Sequence, residues 1–433
     1  MHRFNRLVRN VSLGFLLLLW VGCSAPTEKH LPAPDILIIL ADDLGLETLT
    51  SYGGSSYMTP NLDQIAREGM LLKHLYSMPL CTPSRVQLLT GKYNDETYRG
   101  FGILDTTFKT MPDYLKEAGY HSSIVGKWQL YGNSYQRKLA GQGGSTPPQA
   151  GFNYHYVWQM DTLGSRYYHP TITENDLTQT YQNAYGPDLF ADKLVGLMQK
   201  PADGPQLFFY SMVLTHEPFL PAPEIPGAPD STRSNPIHFS SMVSAMDREI
   251  GKLFRAAKEH PRPIILIFMS DNGTDKQIVS ICNGDEVRGG KGLPNERGTH
   301  VPGLIWYPDS IPGNSVYEGM IDFTDLIPTL LDAAHKPHNQ YDGPGHSFWP
   351  GLTGQSPPAR DAIYVAYDPK WGPWEAATYA QDKIWKLTRD GSFYHLPTDP
   401  EELAPLADSM LDATALERKA YLQTLIANRG YQR

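Results

Sequence analysis

Cysteine is nearly absent from this chain. Only Cys23, Cys81 and Cys282 occur in 433 residues. A disulfide-stapled scaffold is excluded, and each thiol needs its own explanation. Positive charge is also short: 37 Lys and Arg stand against 46 Asp and Glu, a formal net charge of −9. That argues against a nucleic-acid-binding surface. An anionic substrate would need a local pocket of cations set against the overall field. Low-complexity tracts and internal repeats are missing too, which removes fibrous and solenoid architectures. The length suits one large domain, or a large one with a small one.

The first residues differ from the rest. MHRFNRLVRN carries Arg3, Arg6 and Arg9, and an apolar run follows from Val11 to Val21. The run is short for a bilayer span and reads as an export signal. It ends in VGCSAP, where Gly22 and Cys23 resemble a bacterial lipoprotein signal, although Trp20 departs from the leucine preferred there. The expectation is a signal peptide over 1–23 and a linker over 24–34. The protein would then be exported to the periplasm, outer membrane or cell surface, touching the membrane only through a lipid on Cys23.

DILIIL (35–40), QLFFYSMVL (206–214) and PIILIFMS (263–270) are short, continuous apolar runs. Such runs read as parallel strands buried on both faces. GLIWYP (303–308) is a weaker fourth case. Helical patterns lie between them. TPNLDQIAREGM offers Thr59 as N-cap, Pro60 at the first helical position and Asp63 in the first turn. MPDYLKEAGY is closed by Gly119, NPIHFSSMVSAMDREIGKLFRAAKEH (235–260) is long and amphipathic, and DLIPTLLDAAH (325–335) is a further helix. Alternating strands and helices predict an α/β sheet covered on both faces. Beyond about residue 340 a Pro/Gly-rich stretch leads into IYVAY, AATYA, KIWKLTR and SFYHL, and then a helical ALERKAYLQTLIANRG. These predict a catalytic domain over 35–340 and a C-terminal α+β subdomain over 341–433, with a short antiparallel sheet and a helix.

Ligands in open α/β sheets bind outside the carboxyl ends of the strands. DILIIL is followed by Asp42 and Asp43, QLFFYSMVL by Thr215, His216 and Glu217, and PIILIFMS by Asp271 and Asn272. Asp42, Asp43, Asp271 and Asn272 are hard oxygen donors, suited to calcium or magnesium and not to zinc. One Asp after a strand is explained by turn formation; two pairs after two parallel strands are not so easily explained. CTPSRVQLLTG (81–91) reads as a helix start, where unpaired N–H groups and the helix field favour an anion.

The C-x-P-S-R followed by L-T-G in this stretch resembles the signature of the formylglycine-dependent (type I) sulfatases of the alkaline phosphatase superfamily. ADDLG, TPNLDQIAREG, GKW, THEPF, SDNG, GGKG and DLIPTLLD follow the family's order. FYHLPTDPEELAPLA resembles its closing segment, so the resemblance covers roughly residues 35–410. It implies an alkaline-phosphatase-like core with a large mixed, mostly parallel sheet between helices. It implies that a separate formylglycine-generating enzyme oxidises Cys81 to formylglycine, leaving Cys282 unpaired; a Cys81–Cys282 disulfide is the alternative. By the same resemblance, Asp42, Asp43, Asp271, Asn272 and residue 81 surround calcium or magnesium. Arg85 steadies the hydrated aldehyde, and Lys127, His216 and Lys291 hold the sulfate. A diol oxygen attacks sulfur, and His216 or Lys291 protonates the leaving alcohol.

One position departs from the family. GKWQLYG places Gln129 where a histidine is usual, and glutamine cannot act as a base near neutral pH. Aromatic and basic residues between Tyr131 and Pro170, a segment read as long and loop-rich, include Arg166 and His169; YDPKWGPWEAATY adds Trp371. Gln129, Arg166, His169 and Trp371 are the candidate substrate contacts, and the expected substrate is a sulfated poly- or oligosaccharide. The alternatives are a phosphonate or phosphodiester hydrolase of the same superfamily and a catalytically impaired glycan-binding homologue.

Overall fold

The computed structural model describes residues 33–223, 233–337, 340–355 and 360–430. The expected signal peptide and Cys23 lie outside them. Eight strands organise the main sheet: β1 (Asp35–Ala41), β2 (Met70–Tyr76), β3 (His121–Gly126), β4 (Tyr154–Trp158), β5 (Gln206–Ser211), β6 (Ile264–Ser270), β7 (Gly303–Trp306) and β8 (Ser315–Asp322). Across the sheet the order runs β2-β7-β6-β1-β5-β3-β4, with β8 beside β2. A His300–Val301 pair sits on the β2 side, and a Thr171–Glu174 and Leu177–Thr180 hairpin extends the β4 edge. The central run β6-β1-β5-β3-β4 is parallel throughout.

The apolar runs become strands because both of their faces are covered. Along β1, Ile36, Ile38 and Leu40 enter one apolar cluster, while Leu37, Ile39 and Ala41 enter the other. The period of two in a strand makes this division. One face is covered by α2 (Cys81–Thr90), α3 (Met111–Glu117) and α6 (Leu326–Ala333). The other is covered by α1 (Pro60–Glu68), α4 (Gly186–Met198) and α5 (Phe239–Lys258).

Two expectations need correction. GLIWYP forms β7, but it runs antiparallel to both neighbours. The connection from β6 contains a hairpin, one helical turn, Glu296–Thr299, and the two-residue strand His300–Val301, and an antiparallel pair needs no helical crossover. The segment from Tyr131 to Pro170 is loop-rich as expected, and within it lie a helix at Ser134–Ala140, capped by Asn133, and strand β4. Thr59 is the N-cap of α1, but its side chain makes no capping bond.

The C-terminal strands Ile363–Tyr367, Ala377–Gln381, Trp385–Thr388 and Phe393–His395 form an antiparallel meander. Helix α7 (Ala413–Gly430) packs on it through Ala415 and Leu422 against Ala380, Leu387 and Phe393. Ile363, Val365 and Tyr379 pack against Tyr76, Met78 and Leu80, just ahead of α2. The small sheet is therefore seated beside the segment that introduces Cys81.

Candidate active site

Strand register builds the site. Ala41 pairs with Ser270, Leu40 and Gly126 both pair with Ser211, and Gly126 pairs with Val157. The residues just beyond these pairs, Asp42, Asp271, Lys127 and Trp158, therefore leave the carboxyl edge of the sheet together. Gly126 has φ 105°, and a Cβ there would overlap the Ser211 carbonyl oxygen. This close approach lets the Lys127 N–H donate to that oxygen at 2.6 Å.

Asp42, Asp43, Asp271 and Asn272 are fully buried. Asn272 Nδ2 donates to Asp43 Oδ1 at 2.8 Å, and Asn272 Oδ1 has no hydrogen-bond partner among the described residues. An orphaned amide oxygen among three buried carboxylates is an all-oxygen donor set that fits calcium or magnesium. Burial pushes Asp271 up to about 7, helped by Asp42 and Asp43, against the Arg85 guanidinium. Burial also opposes ionisation of Asp42, but its neighbours, Lys127 foremost, hold it far below the usual carboxylate range.

Each carboxylate has a cation of its own. Lys127 Nζ donates to both oxygens of Asp42, at 2.7 and 2.8 Å. Arg85 Nε donates to Asp271 Oδ2 at 2.8 Å, and its Nη1 donates to Ser211 Oγ. Lys291 Nζ donates to Asp43 Oδ2 at 2.5 Å and lies 3.2 Å from His216 Nε2. His216 Nδ1 faces the Glu217 carbonyl oxygen at 2.5 Å. That contact puts the ring proton on Nδ1 and leaves Nε2 to accept from Lys291. Burial, reinforced by the Lys291 charge, pulls His216 down to about 3, so the imidazole is neutral.

Cys81 begins α2 and is 2% exposed. One ligand atom each from Asp42, Cys81 and Asp271 lies within 4.8 Å of the others. Burial pushes the Cys81 thiol up, so it is protonated at neutral pH and is no ready thiolate nucleophile. Cys81 and Cys282 are both free, which excludes the alternative disulfide.

The fold thus brings Asp42, Asp43, Cys81, Arg85, Lys127, His216, Asp271, Asn272 and Lys291 to one place. Arg166 joins them, with Nη1 3.7 Å from Asp42 Oδ2. Gln129 is half-buried at φ 47°, and its Oε1 has no hydrogen-bond partner among the described residues. His169 is tied elsewhere, its Nδ1 accepting the Asn183 N–H at 2.9 Å. Trp371 stacks on Phe101 with ring centroids 4.8 Å apart. Phe101 precedes Gly102, whose N–H donates to Thr82 Oγ1 beside Cys81. Sequence reasoning missed Ser211, which receives Arg85 and donates to the Lys127 carbonyl at 2.5 Å. Its one signal was a serine at the end of a mostly apolar strand.

The family described as Sulfatase matches residues 34–336. Arylsulfatase J of Mus musculus is 27% identical over 415 residues, spanning 86% of this chain and 67% of the relative. N-acetylgalactosamine-6-sulfatase of Canis lupus familiaris is 28% identical over 433 residues, spanning 87% and 78%. Among solved structures, BT4656 in complex with D-glucosamine-2-N,6-O-disulfate is similar in fold, with a TM-score of 0.73 at 20% identity over 92% of this chain and 98% of that one. With a match that runs from β1 through α6 and takes in every carboxylate and cation of the cluster, the chain belongs to the sulfatase family of sulfuric ester hydrolases.

Proposed function

We propose that this sulfatase hydrolyses a sulfate ester on a sulfated carbohydrate, using a nucleophile made from Cys81. The observation that carries the reading is the placement of Cys81. It is buried at the start of α2, against two of the carboxylates, and held as a thiol. An unactivated thiol in that place suits a precursor better than a nucleophile. Conversion to formylglycine by a maturation enzyme, followed by hydration, would supply the hydroxyl that attacks sulfur.

Asp42, Asp43, Asp271 and Asn272 would hold calcium or magnesium, and the bound cation supplies positive charge to the reacting oxygens. The chain's own groups do the rest. Lys127 and Lys291 offer N–H donors to the sulfate oxygens, whose charge rises in the transition state. His216 fixes Lys291, and the mobile proton of this pair sits on Lys291. The pair delivers that proton to the departing alcohol oxygen. Arg85 fixes Asp271 and so the inner wall of the site.

Relatives and neighbours named for sulfated sugars support the carbohydrate substrate. The charged and apolar pattern of residues 3–23 supports export with a lipid on Cys23; radiolabelled fatty acid in wild type but not in Cys23→Ala checks it. For the activity, the chain is co-expressed with a maturation enzyme and screened for sulfate release on defined sulfated oligosaccharides, beside phosphonate and phosphodiester substrates. Faster turnover of sulfate esters supports the reading. Faster turnover of phosphonates or diesters favours the alternative hydrolase. Binding without release from a fully converted protein favours a silent glycan-binding role.

A further inference from the structure

The buried charges at the site pair off with one cation left over. Lys127 occupies both oxygens of Asp42, Arg85 is hydrogen-bonded to Asp271, and Lys291 to Asp43. Arg166 is the fourth cation, and it has no carboxylate of its own. Its contact with Asp42, at 3.7 Å, is longer than a hydrogen bond. Its side chain is only 11% exposed, and its Nη1 is buried with no hydrogen-bond partner among the described residues.

The guanidinium is nevertheless held firmly. Its carbon lies 4.2 Å from the centre of the Trp158 ring, and Trp158 ends strand β4 beside β3. The next residue, Tyr167, donates its hydroxyl to the carbonyl oxygens of Val213, at 2.8 Å, and His216. Gly186 lies so close that a Cβ there would overlap the Arg166 carbonyl oxygen. A fixed, desolvated guanidinium with an idle N–H is costly to keep unless an anion completes it. Stacking on an aromatic face leaves its planar edge of donors for a carboxylate or sulfate.

We propose that Arg166 is a substrate-recognition residue that binds a second anionic substituent on the sugar, beside the sulfate that is hydrolysed. The proposal rests on the carbohydrate sulfatase reading and narrows it to substrates with two negative charges close together. A second sulfate and a uronate carboxylate share the required chemistry.

The test uses the full chain and three oligosaccharides of one backbone. One carries a single sulfate, one a neighbouring second sulfate, and one a neighbouring carboxylate. Wild type should prefer at least one doubly anionic substrate, and which one identifies the anion. Arg166→Met should lose roughly 10- to 100-fold in kcat/KM on that substrate, mainly through KM, the scale of a lost hydrogen bond to a charged group. On the singly sulfated sugar the loss should be at least about fivefold smaller. Arg166→Lys should recover part of the loss, because it restores the charge but not the planar donors. Equal losses on all substrates, or no preference in wild type, would overturn the proposal. Calorimetric binding of the same sugars gives a second readout without turnover. If no sulfate is released but binding shows the Arg166-dependent preference, only the hydrolytic reading falls.

Discussion

Gln129 lies two residues beyond Lys127, half-buried, in a backbone conformation that a non-glycine residue enters at a cost of about 1–3 kcal/mol. No hydrogen bond ties it to the carboxylate and lysine cluster, whereas Lys127 neutralises Asp42 directly. Gln129→Ala should therefore cost less in kcat/KM than Lys127→Ala. Lys127→Ala should also lose about 3–5 kcal/mol of stability by leaving a buried carboxylate unpaired. Rates per folded molecule, alongside denaturant unfolding, separate the two effects; an equal collapse in both variants would contradict an auxiliary role for Gln129. The oxygen donors make a second residue-level prediction. Calcium or magnesium at about a hundred times its Kd should add about 2.7 kcal/mol of stability. Asn272→Ala and Asp271→Ala should reduce that increment, and unchanged thermal midpoints with either cation would contradict the ligand assignment.

At the scale of elements, the turn Glu296–Thr299 and the His300–Val301 strand fix a histidine against the sheet edge. His300 Nδ1 meets Glu296 at 2.8 Å, and Nε2 meets the Lys73 carbonyl at 2.8 Å. Two acceptors favour the imidazolium. Burial opposes the charge, but Glu296 outweighs it and the pKa is raised. His74, stacked 5.8 Å away, is pulled down to about 4 by burial and by His300, so it stays neutral. A raised folded-state pKa stabilises the protein fully below the unfolded value of about 6.5, and that stability is lost as pH rises through the folded value. As pH rises from about 6, wild type should therefore lose more stability than His300→Gln. Parallel pH profiles in denaturant would contradict it. The strands that form β1, β5 and β6 were legible because full burial leaves a continuous apolar run. HSSIVG of β3 was not, since two serines and an exposed His121 break the run. YHYVW of β4 was hidden by its polar aromatic residues in a segment that reads as loop. Asp42, Asp43, Asp271 and Asn272 were legible because they follow strands. Arg166 was visible only as one base among aromatics, because its pairing state depends on which carboxylates the fold assigns to other cations.

The whole molecule depends on the small sheet docking beside α2. Arg360, just ahead of that sheet, donates through Nε and Nη2 to the two oxygens of buried Asp325 in the core, at 2.9 and 2.7 Å. Lys386 reaches back to Glu402 at 2.7 Å and to the Pro294 carbonyl at 2.5 Å. Arg360→Ala should destabilise the protein by about 3–5 kcal/mol, since Asp325 is then buried without its partner. Both sheets should unfold together, seen as coincident fluorescence and circular-dichroism transitions; a stable core with only the small sheet lost would contradict this coupling. The same docking seats Cys81 at the carboxylates, and the central claim is that residue 81 works only after conversion. Peptide mass spectrometry at residue 81 and sulfate release on the same preparation test it most directly. Activity should rise in proportion to the formylglycine fraction and vanish in Cys81→Ala, whereas full activity with an unmodified cysteine would contradict the account.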